Sequence, residues 1–363
     1  MSIQSRASSS PSSELFPRTL FETDDIQVPE SKARRLMELR LAQNFLLNIK
    51  PSTHQCNPSP DWLLLWRDIM PQFVLTHDCV LYASHAFSAT HLLRTIPDDE
   101  ALYSARQNYL VLALREQRKQ VLRISTENAD AVCLTSMLIL LTSFGMMQDR
   151  DLSVYTPPID WLKLGRGAGA VMKKANNSVP PEFPAVFKAL INAHSARGLN
   201  DPSESRLEPA FAAIWHTMCD HEDWDVETQE IYRRPLAYIS MLQRSVEDKG
   251  APFVLGRGLH AFTMAVPPRF ADLIEMQDTC ALIVLAHYFG VVAQMPAEVW
   301  WRKGEKEYNG TMRREIYAIH DFIPSDWRDL MQWPLSTVAY TCEESTSDTP
   351  DLKTEYSLPI RQY

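Results

Sequence analysis

Apolar residues along this chain recur three and four positions apart far more often than in alternation, so most of it reads as helix. Leu36, Leu39, Ala42 and Leu46 form one such stripe, with Arg34, Glu38 and Arg40 elsewhere on the wheel, and it is the expected buried face of a first helix. Phe73–Arg94 reads as one long, mostly apolar helix. Ala101–Ile124 reads as an amphipathic one whose closing "REQRKQVLR" places cations near its C-terminus. Thr126 is placed to cap the next, which runs through "ENADAVCLTSMLILLTSF". Further helices are predicted over 158–175, 182–195, 207–221, 226–248, 268–276, 278–294, 297–322 and 324–332. Many start at a proline (Pro158, Pro181, Pro209, Pro268, Pro296, Pro324), where the missing N–H would be unpaired anyway. Pro235 is expected to split the 226–248 segment. The expected class is all-α, an irregular bundle of about 12 helices, many in antiparallel pairs, around an apolar core.

Composition supports that class. Glycine is scarce (11) beside proline (24), which disfavours turn-rich β architectures. A net charge of −9 and a pI near 5.6 oppose sequence-independent binding to nucleic acid or anionic membrane. Residues 1–29 are rich in Ser and Pro and read as a disordered tail, 30–335 as the helical domain, and 336–363 as a polar C-terminal tail. No secretory signal is seen at the N-terminus. The most apolar stretches, Ala131–Met147 and Cys280–Met295, are shorter than a membrane span requires, so none is expected.

The six cysteines stand at 56, 79, 133, 219, 280 and 342, too widely spaced for a zinc knuckle, and no metal site is expected. Cys79, Cys133 and Cys280 lie in apolar runs and read as small buried hydrophobes of a reducing compartment.

"WLKLGRGAGAV" (161–171) matches a dinucleotide-binding turn at Gly165, Gly167 and Ala170, with Glu182 at a ribose-binding distance. That turn needs a preceding strand, and none is legible. The residues keep helical spacing instead, so Gly165, Gly167 and Gly169 are expected in a helix, letting a neighbouring backbone approach. The acidic "CDHEDWD" (219–225) lacks metal-ligand spacing and reads as a loop between helices. "IPDDEALY" lacks the third acid of a terpene synthase motif, and its aspartates suit a helix N-terminus near Glu100. His85, His91 and His287 lie in apolar helices, as core residues or as ligand contacts or bases of lowered pKa. No nucleophile elbow, catalytic triad order or cofactor motif is present, and no cofactor is expected.

Seven stretches, taken together and in order, carry a family resemblance: "LMELRLAQNFLLN", "LYASHAFSATHL", "NADAVCLTSMLILLTSFG", "WLKLGRGAGAV", "ALIVLAHYFGVV", "VWWRKGEKEYNGTMRREI" and "DWRDLMQWPL". Over residues 30–335 the chain resembles the C-terminal regulatory region of fungal zinc-cluster (Zn2Cys6) transcription factors, in particular the sterol uptake control group. The resemblance implies an all-α ligand-sensing domain with an apolar pocket, able to pair with itself, in which "WLKLGRG" is helical. The family's cysteine-rich DNA reader has no counterpart here, and Lys32, Arg34 and Arg35 are too short a basic cluster to bind DNA well, so direct specific DNA binding by this chain is not expected.

Two functions remain open. In one the chain is a regulator in nucleus or cytoplasm. It senses a hydrophobic metabolite (a sterol or a gene-cluster product of secondary metabolism) and acts through a second copy or a transcription-factor partner. In the other it is an enzyme on the same fold, a cyclase or isomerase for a hydrophobic terpenoid or polyketide intermediate. Under either reading the expected ligand contacts are His287, Tyr288, Met147 and Trp301: polar atoms in apolar settings, an adaptable thioether and an aromatic wall.

Overall fold

A computed structural model of the chain describes residues 31–47, 65–182, 207–250, 252–295 and 310–339. Among these residues there is no strand, and the fold is an all-α irregular bundle of 13 helices. The chain divides into two units, Met1–Arg40 and Leu41–Tyr363.

α1 (Lys32–Leu47) spans that boundary. Within the larger unit its buried residues are Leu41, Asn44 and Phe45, whereas Leu46 of the expected stripe is exposed. A polar clamp makes this choice: Asn44 donates to the Ser88 carbonyl and hydroxyl, and Ser88 donates to the Leu41 carbonyl.

The long helix expected over 73–94 is two: α2 (Met70–Thr76) and α3 (Asp78–Leu93), broken where His77 is extended. α4 (Glu100–Val121) starts at Asp99, whose carboxylate accepts from the Leu102 amide at 3.0 Å, as the acidic start had suggested. α5 (Ala129–Gly145) begins after Asn128, not at Thr126, because the Asn128 side chain is held by Ser125, Gln120 and the Arg123 carbonyl. A 3-10 turn (Met146–Asp149) continues it. α5 is buried along nearly its whole length, packed between α3 and α6 (Ile159–Ser178). With that turn the run Ala129–Asp149 is long and apolar enough to span a membrane, longer than the sequence reading allowed. Its most apolar window is 78% buried inside the protein, as in a core helix.

α7 (Pro209–His221) and α8 (Val226–Glu247) follow, joined by the acidic loop, with Asp225 capping α8 through the Thr228 amide. Pro235 does not split α8. A proline inside a helix costs about 3 kcal/mol, and burial of Tyr232, Leu236, Ile239 and Leu242 along one face offsets it. α9 (Pro252–Ala265) was not anticipated, since Gly256 and Gly258 dilute its pattern. α10 (Pro268–Glu275) meets α11 (Thr279–Ala293) at a 105° bend, closed by Gln277 in the left-handed region (φ 59°) and by Asp278 capping α11. Every residue of α11 from Cys280 to Val292 is buried, and α8, α10, α12 (Thr311–Phe322) and α13 (Gln332–Thr337) surround it. The expected helix at 324–332 is a 3-10 segment (Ser325–Met331) leading into α13. The helix expected at 182–195 and the first part of 297–322 lie outside the described residues.

Candidate functional site

α11 carries two of the predicted contacts into the core, but to different neighbours. Consecutive helical positions lie about 100° apart around the axis, so His287 and Tyr288 face different sets of helices. Tyr288 stacks on Phe262 of α9 (4.2 Å between centroids) and Trp161 of α6 (5.5 Å), and its hydroxyl donates to the Leu259 carbonyl at 3.0 Å. His287 lies parallel to Trp333 of α13 (5.5 Å, 3°) and edge-on to Phe211 of α7 (6.0 Å). Met147 is buried in the same core cluster as Tyr288. Trp301 lies outside the described residues.

Burial decides the protonation of this interior. The His287 pKa is pushed down to about 4 by desolvation, partly opposed by its contact with the Ile283 carbonyl. Nδ1 stands 2.8 Å from that carbonyl, so Nδ1 carries the proton and Nε2 the lone pair. Nε2 is buried and has no hydrogen-bond partner among the described residues. The ring is thus a neutral acceptor and a weak base at neutral pH. Burial likewise raises the Tyr288 hydroxyl and pushes the Cys133 thiol up to about 12; Cys79 and Cys280 are raised for the same cause. The apolar cysteines are therefore inert buried thiols, as their setting predicted. Among the described residues no cluster of three or more His, Cys, Asp or Glu could hold a metal ion.

The glycine-rich stretch is part of α6, and its glycines divide between two faces. A Cβ on Gly165 would stand 2.5 Å from the Thr263 Cβ and 3.1 Å from Leu140, and one on Gly169 would meet Met264 at 3.0 Å. These two therefore let α9 approach, as expected, although what approaches is the side chains of Thr263 (its hydroxyl nearest) and Met264 and not backbone. A Cβ on Gly167 would meet nothing within 4 Å among the described residues. Gly167 borders an open groove of about 390 Å3, with α4 (Leu114, Gln117, Val121) and α6 (Leu164, Val171) as walls and α5 (Ile139) beneath. Sequence reasoning missed this groove because its residues come from three helices. Exposed Leu122 at its edge was the one local signal.

Fold and site together define, among the described residues, a helical body with a buried aromatic interior and a largely apolar groove beside α6. The chain belongs to the family of the fungal specific transcription factor domain, whose model matches residues 41–226. It is 30% identical over 264 residues, 70% of the chain, to the Zn(2)-C6 fungal-type transcription factor afumD of Aspergillus fumigatus. A Zn(2)-C6 fungal-type transcription factor of Gibberella zeae is 24% identical over 90% of the chain, and sterol uptake control protein 2 of Saccharomyces cerevisiae 23% identical over 74%. The chain spans 66% of the first of these relatives, 67% of the second and 29% of the third.

Proposed function

We propose that this chain is the regulatory body of a fungal transcription factor: it changes state on binding an apolar metabolite and controls transcription in the nucleus through partner proteins. The membership of residues 41–226 in a transcription-factor family carries the regulatory part. The apolar groove on α6 supports an apolar ligand, and the name of the sterol uptake relative favours a sterol or a gene-cluster product of similar apolarity as its class. His287, Tyr288 and Met147 are then the interior positions that a deeper ligand would meet, and Trp301, outside the described residues, is the fourth proposed contact.

A ligand acts only through its different affinity for two packings of the bundle. The contact of α6 with α9 is the junction that would register it, because the groove and the core share that helix. His287, neutral and only weakly basic, gives less support to the cyclase or isomerase reading. Gene deletion with metabolite profiling tests the proposal. Loss of a whole pathway together with its transcripts is expected, whereas accumulation of one uncyclised intermediate with transcripts intact would establish the enzyme instead.

A further inference from the structure

The loop between the 3-10 turn that closes α5 and the start of α6 presents a threonine with no structural task. Of the four Ser/Thr-Pro steps in the chain, at Ser10, Ser59, Thr156 and Thr349, only Thr156-Pro157 falls within the described residues. Thr156 is exposed while Tyr155 before it and Pro158 shortly after it are buried, so the loop is pinned on both sides of the hydroxyl. The threonine does not cap α6, whose N-cap position is Pro158 without a side-chain bond. Its hydroxyl has no hydrogen-bond partner among the described residues. Pro157 restricts Thr156 to extended backbone and itself brings no amide donor.

Beneath that threonine lies a cationic joint. Arg150 donates through Nη2 to the Thr156 carbonyl, through Nη1 to the Pro157 carbonyl at 3.4 Å and through Nε to Glu315 Oε1 of α12 at 2.6 Å. Arg314 donates to the Gln148 carbonyl at 2.9 Å and to the Arg150 carbonyl. Glu315 is buried and pairs with Arg150, whereas Asp160 and Asp151, whose carboxylate accepts from the Ser153 amide, make no ion pair among the described residues. On the other side Asp149 pairs with the buried Arg106 of α4 at 2.5 Å. Two consecutive residues thus tie α4 to α12. The Nη edge of Arg150 is met only by two neutral carbonyls, where a charged oxygen group would be held more strongly.

We propose that Thr156 is a phosphorylation site for a proline-directed protein kinase and that the Nη edge of Arg150 receives its phosphate. In the transfer Thr156 Oγ1 attacks the γ-phosphorus of ATP, the new Oγ1–P bond replaces the bond to ADP, and the hydroxyl proton passes to the base of the kinase. The phosphate is carried by the same residue whose carbonyl Arg150 already contacts, so the guanidinium is within its reach. It adds a charge of about −1.5 to −2 at neutral pH and binds the two Nη groups as a fork, while Nε keeps Glu315. Because the buried carboxylate keeps its cation, the modification tightens the joint between α4 and α12 instead of opening it. The site is separate from the groove and stands without any ligand there.

The test uses the full chain carrying Ser10→Ala, Ser59→Ala and Thr349→Val, so that one Ser/Thr-Pro step remains. It is incubated with ATP and a purified mitogen-activated protein kinase, beside a free peptide of residues 150–160, and the modified residue is mapped by mass spectrometry. Phosphate on Thr156 is expected in both, and loss of the signal in Thr156→Val and in Pro157→Ala. Phosphorus NMR then reads the surroundings of the phosphate. Its second pKa, about 6 in the urea-unfolded chain, should fall by about one unit in the folded chain, the mark of a neighbouring cation. Arg150→Gln with Glu315→Gln removes the guanidinium and its buried partner together, leaving no stranded charge, and should abolish most of that shift. The phosphorylated chain should also melt at a higher temperature than the unmodified one. No phosphate on Thr156 in the folded chain, whether or not the peptide is modified, would overturn the site. A phosphate pKa equal in folded and unfolded chain, a shift that persists in the folded double variant, or a lowered melting temperature would overturn Arg150 as its receiver.

Discussion

α6 has two sides that use glycine in opposite ways. Toward α9, Gly165 and Gly169 exchange side chains for proximity, and a Cβ on Gly165 would lie within 2.5 Å of Thr263. Toward α4, Gly167 exchanges a side chain for empty space. The same residue type, two positions apart on one helix, serves a sealed seam in one case and an open groove in the other. A glycine in a helix is therefore informative only with its neighbours in view: the sealed side is explained by stability and the open side is not.

The contrast can be broken by substitution. Gly165→Ala should destabilise the fold by about 3 kcal/mol, because a fully packed site has no room for a methyl group, and denaturant unfolding would read it. Thr263→Ala should relieve that loss only in part, since it removes the hydroxyl and leaves the Cβ that clashes. An undiminished midpoint for Gly165→Ala would show that the seam is not tightly closed.

The second test uses pH to ask whether the interior behind the seam is dry. His287 has its pKa pushed below its unfolded value by burial, to about 4, and His260 is likewise lowered to about 3. A lowered folded pKa means that the unfolded chain binds more protons between the two values. The contribution is therefore intact above about pH 6.5 and is lost as the pH falls toward 4. His287→Phe keeps a ring against Trp333 and Phe211 and removes one titrating group. It should flatten the loss of stability between pH 6.5 and 4 by on the order of 2 kcal/mol. A slope equal to the parent's would place water at His287.

The smaller effects sharpen the comparison. Gly167→Ala should stabilise the chain by about 0.5–1 kcal/mol, because propensity improves and nothing is displaced. Gly169→Ala should move stability by less than about 0.5 kcal/mol, the gain in propensity being offset as Met264 yields a few tenths of an ångström. If alanine at 165, 167 and 169 gave equal changes, the two sides of α6 would not differ.

Much of the fold was legible locally. The helical class, the helix through "WLKLGRGAGAV" and the caps at acidic starts follow from spacing and capping chemistry, which act within a few residues. The misreadings share one cause. Pro235 breaks helices in isolation, yet one buried face holds α8 together across it. The stripe Leu36, Leu39, Ala42 and Leu46 is the more apolar side of α1 by composition, yet Asn44 and Ser88 decide which side faces α3. α9 carried a usable signal in Leu255, Leu259 and Phe262 at spacings of four and three, which its two glycines outweighed. The site was less legible. His287 and Tyr288 lie buried in an apolar helix, but their adjacency in sequence turns them to different partners.

By itself the sequence determined that the chain is helical, where most of its helices begin, that its cysteines are unsuited to a zinc site, and which family it resembles. These depend on residue type and short spacing. Only the tertiary structure decided that one glycine of three faces open space among the described residues, that His287 and Tyr288 turn to different helices, and that α4, α5 and α6 together line a groove. Those are relations between residues tens of positions apart, fixed by how helices pack, and no local pattern encodes them.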